Sequence, residues 1–115
     1  MGDIDYRKVT RPETEQVTLG ILFLDKNNEY SPFDLSEDCF YSEINRQVFQ
    51  FIVKYYLEEG RTPDIAMAID YFLAERKNYS KQIMAMIDSV PTLTSYPYYV
   101  SDLHRAMVER KTSEL

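Results

Sequence analysis

The sequence of 115 residues has one cysteine, three glycines and no tryptophan. A single cysteine excludes a disulfide within the chain and a four-cysteine zinc site, and it fits a reducing compartment. The sequence also has no GxxxxGKS/T phosphate loop and no HExxH zinc motif. No catalytic, cofactor or metal site is therefore expected in this segment.

An excess of positive charge is absent as well. The formal net charge is −6 and the pI is about 4.7. A field of this sign repels nucleic acid phosphates unless cations cluster locally. Little or no direct DNA binding is expected from this segment.

Long apolar runs are also missing. The longest, residues 17–24, is well below the roughly 18 residues that a membrane-spanning helix needs. Glutamates rather than basic residues precede it, and no small-residue cleavage site follows it. Neither a membrane anchor nor a signal peptide is expected, and we predict a cytoplasmic protein.

What the sequence does contain is a succession of helical patterns, beginning with TRPETEQVTLGILFLD. Thr10 and Glu13 have the spacing of a capping box, which predicts a helix over residues 11–24. Gly20 costs about 1 kcal/mol in a helix interior. Its expected compensation is the close approach of another helix.

Apolar residues recur at helical spacing in four further places. After a polar loop at residues 25–38, a helix apolar on two sides ends at Glu59-Gly60, where glycine suits the left-handed position. Thr62-Pro63-Asp64 predicts the next start, with Thr62 as the N-cap. Further helices are predicted over 81–90 and from about Ser95 onward. The predicted core residues are Val17, Ile21, Leu24, Val48, Phe51, Ile52, Ile69, Phe72, Leu73 and Ile87.

No alternating strand pattern or hairpin turn signal is found, so the predicted class is all-α. Five to six helices fit the chain length. The domain is long enough to bury one core.

Two arrangements of polar residues suggest chemistry only weakly. Cys39 and His104 could form a nucleophile and base, but single cysteines are more often small buried hydrophobes. A loop beginning at Asp25 carries acidic and amide side chains at alternate positions. It lacks the glycine of a calcium loop and has Ser36 where a bidentate glutamate belongs, which favours a solvated loop.

The tyrosines near the last helix allow two interpretations. Tyr96, Tyr98 and Tyr99 could stack on single-stranded bases, but the charges nearby are mixed rather than basic. We favour the alternative, in which the rings anchor the corner between a loop and the helix.

The last helix carries an apolar stripe. Its residues are Val100, Leu103, His104, Met107 and Val108. The stripe either completes the core or forms an interface, and the sequence does not separate the two. We predict self-association through this stripe, with His104 as a packed or interface residue.

A small DNA-binding regulator is an alternative from another class. The short Gly60-Arg61-Thr62 connection could be the turn of a helix-turn-helix. The helix that follows, DIAMAIDYFLAERK, offers few of the side chains that read bases in the major groove.

Four stretches, in order, resemble the N-terminal domain of bacterial DnaB-type replicative DNA helicases. They are RPETEQVTLGILFLD, EDCFYSEINRQVFQFI, GRTPDIAMAIDYFL and YPYYVSDLHRAMVERK. Each alone is weak, because apolar helix patterns are common. Their order and spacing, from about Arg11 to Arg110, make the combination specific.

The resemblance implies a compact orthogonal helical bundle without catalysis of its own. Residues 1–10 would be a flexible arm, 11–95 the head, and 96–115 the first arm of a truncated helical hairpin between subunits. Such heads form the collar of a ring, and their partners are sister subunits, primase and helicase loader. ATP and Mg²⁺ would belong to a separate C-terminal motor domain of an ATP-dependent helicase. The helicase-binding domain of a DnaG-type primase shares this fold and is the related alternative.

Overall fold

The computed structural model describes residues 10–113, which contain five α-helices and no strand. The predicted all-α class is therefore confirmed. The predicted flexible arm, apart from Thr10, lies outside the described residues. The α-helices are α1 (Pro12–Leu24), α2 (Glu43–Glu59), α3 (Ile65–Ala74), α4 (Ser80–Asp88) and α5 (Tyr96–Ser113), and short 3₁₀ turns lie at Pro32–Asp34, Glu37–Cys39 and Leu93–Ser95.

Helix α1 packs against α2, α4 and α5. Its second half is apolar on all sides, and Leu19, Ile21 and Leu22 are fully buried. A helix with apolar residues all round is stable only where other elements cover every face. The opening apolar run is thus the helix around which the other helices pack.

Gly20 lies at the crossing of α1 and α4. A Cβ atom at this position would lie 2.7 Å from the carbonyl carbon of Met86 and 2.7 Å from Cγ2 of Val90. Carbon atoms do not approach this closely, so only glycine fits without displacing α4. The helix-propensity cost at Gly20 is compensated by this close packing.

Glu15 joins α1 to the start of α2, a role that the sequence did not predict. Its side chain is 1% exposed. Its carboxylate accepts hydrogen bonds from the backbone N–H of Tyr41 at 2.9 Å, from that of Ser42 at 3.3 Å and from Nδ2 of Asn45 at 3.0 Å. The negative charge also faces the positive end of the α2 dipole.

Two of the predicted helix caps are wrong. The N-cap of α1 is Arg11, and no side chain caps this end, so Thr10 and Glu13 form no capping box. The N-cap of α3 is Asp64, whose Oδ1 accepts the backbone N–H of Met67 at 3.0 Å. Thr62 is instead buried before the helix.

Helix α2 ends at Glu59-Gly60, as the sequence predicted. Gly60 has φ +73° and its N–H donates to the carbonyl of Tyr56 at 2.8 Å. Only a residue that tolerates the left-handed region ends a helix in this way without strain.

The predicted core residues differ in how deeply they are buried. Ile21, Val48, Phe51, Ile52 and Phe72 are buried, Val17, Ile69 and Ile87 are half-buried against the core, and Leu24 is half-buried. Leu73 is 48% exposed, and its assignment to the core is wrong. Phe72, its neighbour on the last turn of α3, faces inward instead. Because adjacent helical residues lie about 100° apart, the two cannot share that face.

Helix α5 packs along α1 and the turn Glu37–Cys39. Leu103 and Ala106 on this helix are buried at 1% and 0% exposure. The segment predicted to be a hairpin arm, residues 96–115, thus begins as a helix packed on the head.

Candidate protein-interaction surface

Most side chains of the α5 apolar stripe are buried or half-buried within the domain. Leu103 is buried, while Val100 and Met107 are half-buried and pack against the core. His104 is half-buried and bonded on both ring nitrogens. Of the predicted interface residues only Val108, at 56% exposure, is open to a partner.

The structure brings Cys39 and His104 together. The Cys39 Sγ atom lies 3.8 Å from His104 Nδ1, and His104 Nε2 lies 2.7 Å from the carbonyl oxygen of Asp34. A carbonyl only accepts, so Nε2 carries a hydrogen, and in the neutral imidazole Nδ1 presents its lone pair to the thiol. Cys39 is fully buried. Reactive cysteines are partly exposed, so a nucleophilic role at Cys39 is not supported.

The loop after α1 is organised by hydrogen bonds to Asp25. Its two carboxylate oxygens accept the backbone N–H of Glu29 at 2.9 Å and of Tyr30 at 2.8 Å. Asp25 itself is buried. Within residues 10–113, no three His, Cys, Asp or Glu side chains gather into a metal-binding group.

The three tyrosines at the start of α5 divide by burial. Tyr96 is buried, and its hydroxyl donates to the carbonyl of Ser31 at 3.0 Å while its ring stacks on Tyr30. Burial, together with the nearby charge of Asp34, raises the pKa of Tyr96 well above its usual value. Tyr99 is half-buried and Tyr98 exposed. The rings anchor the corner and form no continuous stacking surface.

An apolar groove, here called the α2 groove, runs beside α2. It has a volume of about 480 Å³. Its lining residues are Phe33, Leu35, Ser36, Glu37, Phe49, Gln50, Val53, Lys54, Leu57 and Glu58. The two most exposed apolar side chains among them are Leu57 at 70% and Phe33 at 55%. Exposed side chains of this size are unusual side by side on a surface that meets only water.

A sequence signal for the α2 groove was present. Phe49 and Val53 form a second apolar face of α2, and Leu57 continues that face one turn further. The contribution of Phe33 had no local signal. Its ring reaches the groove because it packs edge-on against Tyr56, with centroids 5.3 Å apart.

The rim of the α2 groove is polar. Glu37 accepts a hydrogen bond from Nε2 of Gln50 at 2.8 Å, and Glu58 and Lys54 stand along α2. An apolar floor with a charged rim is the usual anatomy of a protein interface.

A basic corner lies at the other side of the turn Glu37–Cys39. It surrounds a cavity of about 280 Å³ and includes Arg46, Arg110 and Lys111. Arg110 donates to the carbonyl of Asp38 at 3.0 Å, and Lys111 Nζ lies 2.9 Å from an Asp38 carboxylate oxygen. The hydrogen bond and charge of Lys111 lower the pKa of Asp38. Arg110 and Lys111 bind the turn to α5.

The helix-turn-helix alternative gains nothing from the structure. Helix α3 begins with Ile65, Ala66 and Met67. None of these side chains can make the paired hydrogen bonds that read a base edge.

None of the helices within residues 10–113 combines the length and the hydropathy needed to cross a membrane. Residues 7–105 match the model of the family described as DnaB-like helicase N-terminal domain. Comparisons with curated proteins and with solved structures gave no match.

Proposed function

The chain belongs to the DnaB-like helicase N-terminal domain family, and on this premise we propose that it is a non-catalytic interaction domain in DNA replication. It contributes to the collar of a replicative helicase and contacts primase or the helicase loader in the cytoplasm. The ATP and Mg²⁺ of unwinding belong, in this proposal, to a motor domain of the parent protein. The match is to the helicase family, which favours it over the primase alternative.

The observation that carries the proposal is the α2 groove. Leu57 and Phe33 are large, exposed apolar side chains that both line this groove. Full burial of one such side chain contributes about 1.5–3 kcal/mol. We assign to the groove an apolar helix face of primase, whose side chains would enter between Leu57 and Phe33.

Self-association has less exposed surface available on α5 than the sequence suggested. Val108 is exposed and Met107 half-buried, while Leu103 is committed to the core. We propose that the collar contact uses the exposed end of α5 around Val108. Light scattering of the purified chain over a range of concentrations tests this contact. Concentration-dependent oligomers that disappear in Val108→Glu would support it, and a strict monomer at high concentration would count against it.

The primase contact is tested with Leu57→Glu. A charge at the centre of an apolar contact should weaken binding at least about tenfold, because each tenfold loss corresponds to about 1.4 kcal/mol. The assay is calorimetric titration of the chain with the purified primase of the same organism. Met84→Glu is the matched control, since Met84 is 51% exposed on α4 and does not line the groove.

Equal losses for Leu57→Glu and Met84→Glu would contradict the assignment of the groove. Binding of primase by neither the chain nor its variants would contradict the primase contact itself. The same titration with the purified loader then decides whether that protein is the occupant.

A further inference from the structure

Two sulfur atoms and one ring nitrogen converge where α5 passes the turn Glu37–Cys39. The Cys39 Sγ atom lies 3.8 Å from His104 Nδ1 and 4.0 Å from Met107 Sδ. His104 and Met107 are three residues apart on α5 and so lie on one face of the helix. The third side of the cluster is Ser36, whose Oγ lies 3.7 Å from the thiol and 3.8 Å from the thioether.

These separations suit a shared metal ion. With bonds of about 2.3 Å to sulfur and about 2.0 Å to nitrogen, two ligands at 120° are about 3.7 Å apart for S and N and about 4.0 Å apart for two sulfurs. The distances from Cys39 Sγ to His104 Nδ1 and Met107 Sδ are 3.8 and 4.0 Å. Both distances from Cys39 Sγ are thus already close to those that a shared ion would impose.

The imidazole is also oriented as a ligand. The carbonyl of Asp34 accepts the Nε2 hydrogen at 2.7 Å, which leaves the Nδ1 lone pair directed at the thiol. Metal-ligating histidines are typically fixed by such a bond on the other nitrogen. The Asp34 carbonyl thus holds both the tautomer and the ring direction.

We infer that Cys39, His104 and Met107 form a three-coordinate site for a soft monovalent ion, Cu(I). Thiolate and thioether sulfur favour Cu(I), while Zn²⁺ in structural sites takes four ligands. Binding breaks the S–H bond of Cys39, forms the bond from Sγ to the metal, and releases one proton to solvent. No change of oxidation state is involved. The site is separate from the proposed primase contact, although Ser36 also lines the α2 groove.

The half-buried side chains of His104 and Met107 give the ion a path that fully buried Cys39 alone does not offer. Methionine has three rotatable side-chain bonds and a flexible thioether. Displacement of Met107 would admit the ion, and its return would complete the coordination.

The test is an anaerobic titration of the full 115-residue chain with Cu(I), held by a competing chromogenic chelator. The chain has one histidine, so its ¹⁵N ring resonances report coordination at Nδ1 without ambiguity. We expect one Cu(I) per chain by native mass spectrometry, release of one proton, and a shift of the Nδ1 resonance. Zn²⁺ should leave that resonance unchanged.

Met107→Leu keeps the apolar volume, so the fold should persist, and it should weaken Cu(I) binding at least about tenfold. Met84→Leu is the control, because Met84 is exposed on α4. Cys39→Ala should abolish binding, with circular dichroism and thermal unfolding as checks on the fold. Cu(I) uptake without a shift at Nδ1, or equal affinity for Met107→Leu and the unchanged chain, would overturn the proposal.

Discussion

At the scale of single residues, Glu15 shows how a local signal and a tertiary role can differ. The sequence places it in the first turn of a helix, where a negative charge favours the dipole. In the fold it is buried and receives three hydrogen bonds from the start of α2. Its partners are 26, 27 and 30 residues away, so no local pattern could identify them.

Glu15→Gln should destabilise the fold by about 2 kcal/mol, within the range for hydrogen bonds to charged groups. The amide of glutamine would direct N–H donors at backbone N–H groups that now donate to a carboxylate. Urea denaturation measures the change. Glu13→Gln, on the exposed side of the same helix turn, should change stability little. Equal effects of both substitutions would show that the buried bonds contribute nothing specific.

The ionisation of Asp38 makes the stability of the fold depend on pH in a defined direction. Its pKa is lowered from 3.8 by the hydrogen bond and charge of Lys111. A lowered pKa in the folded state means stabilisation that is present above the unfolded value and is lost as pH falls through the folded value. Because both side chains are more than half exposed, the effect is small and screened by salt.

Lys111→Met should therefore return the pKa of Asp38 toward its ordinary value. An NMR titration of the carboxyl carbon, at low salt, measures it. High salt should also move the pKa of Asp38 in the wild-type chain toward its ordinary value, though by less. An unchanged pKa in Lys111→Met would assign the lowering to Arg46 and Arg110 instead.

At the scale of helices, the crossing of α1 and α4 depends on one missing Cβ atom. Gly20→Ala should destabilise the fold by roughly 1–3 kcal/mol, because overpacking against Met86 and Val90 exceeds the gain in helix propensity. Thermal unfolding measures the loss. In Gly60→Ala the new Cβ atom meets nothing within 4 Å, and only the left-handed backbone is strained, at about 1–2 kcal/mol. A smaller effect at Gly20 than at Gly60 would mean that α4 moves aside freely.

Helix existence was predictable and several details were not. The start of α1 follows a proline signal and the end of α2 a glycine signal in the sequence. The predicted caps at Thr10 and Thr62 were wrong: no side chain caps the start of α1, and at the start of α3 both Thr62 and Asp64 had the right chemistry. Asp64 rather than Thr62 caps α3 because the helix begins at Ile65, two residues beyond Pro63. The choice depends on backbone angles that composition does not fix.

The sequence also could not predict which residues of the α5 stripe are buried and which are exposed. Periodicity identifies a common face for Leu103, Met107 and Val108, but not how far along the helix the neighbouring elements reach. α1 and the turn Glu37–Cys39 cover the first part and leave Val108 exposed. The α2 groove was partly foreseeable from Phe49 and Val53, and Phe33 was not, since it comes from a separate turn.

At the scale of the whole molecule, three cations lie together in a chain whose net charge is negative. The net charge is −6, yet Arg46, Arg110 and Lys111 gather at one corner. Each has a carboxylate or carbonyl partner. Through Arg110 and Lys111, this corner joins α5 to the head.

The attachment of α5 bears on where this domain can be cut for expression. The matched region ends at residue 105, but Ala106 is buried and Arg110 holds the Asp38 carbonyl. A fragment of residues 10–105 should unfold at a lower temperature than one of residues 10–113, as calorimetry would measure. Equal midpoints would mean that the last two turns of α5 contribute nothing to the head. The folding unit is thus longer than the region of sequence similarity. A truncation guided by similarity alone would remove the part of α5 that stabilises the head.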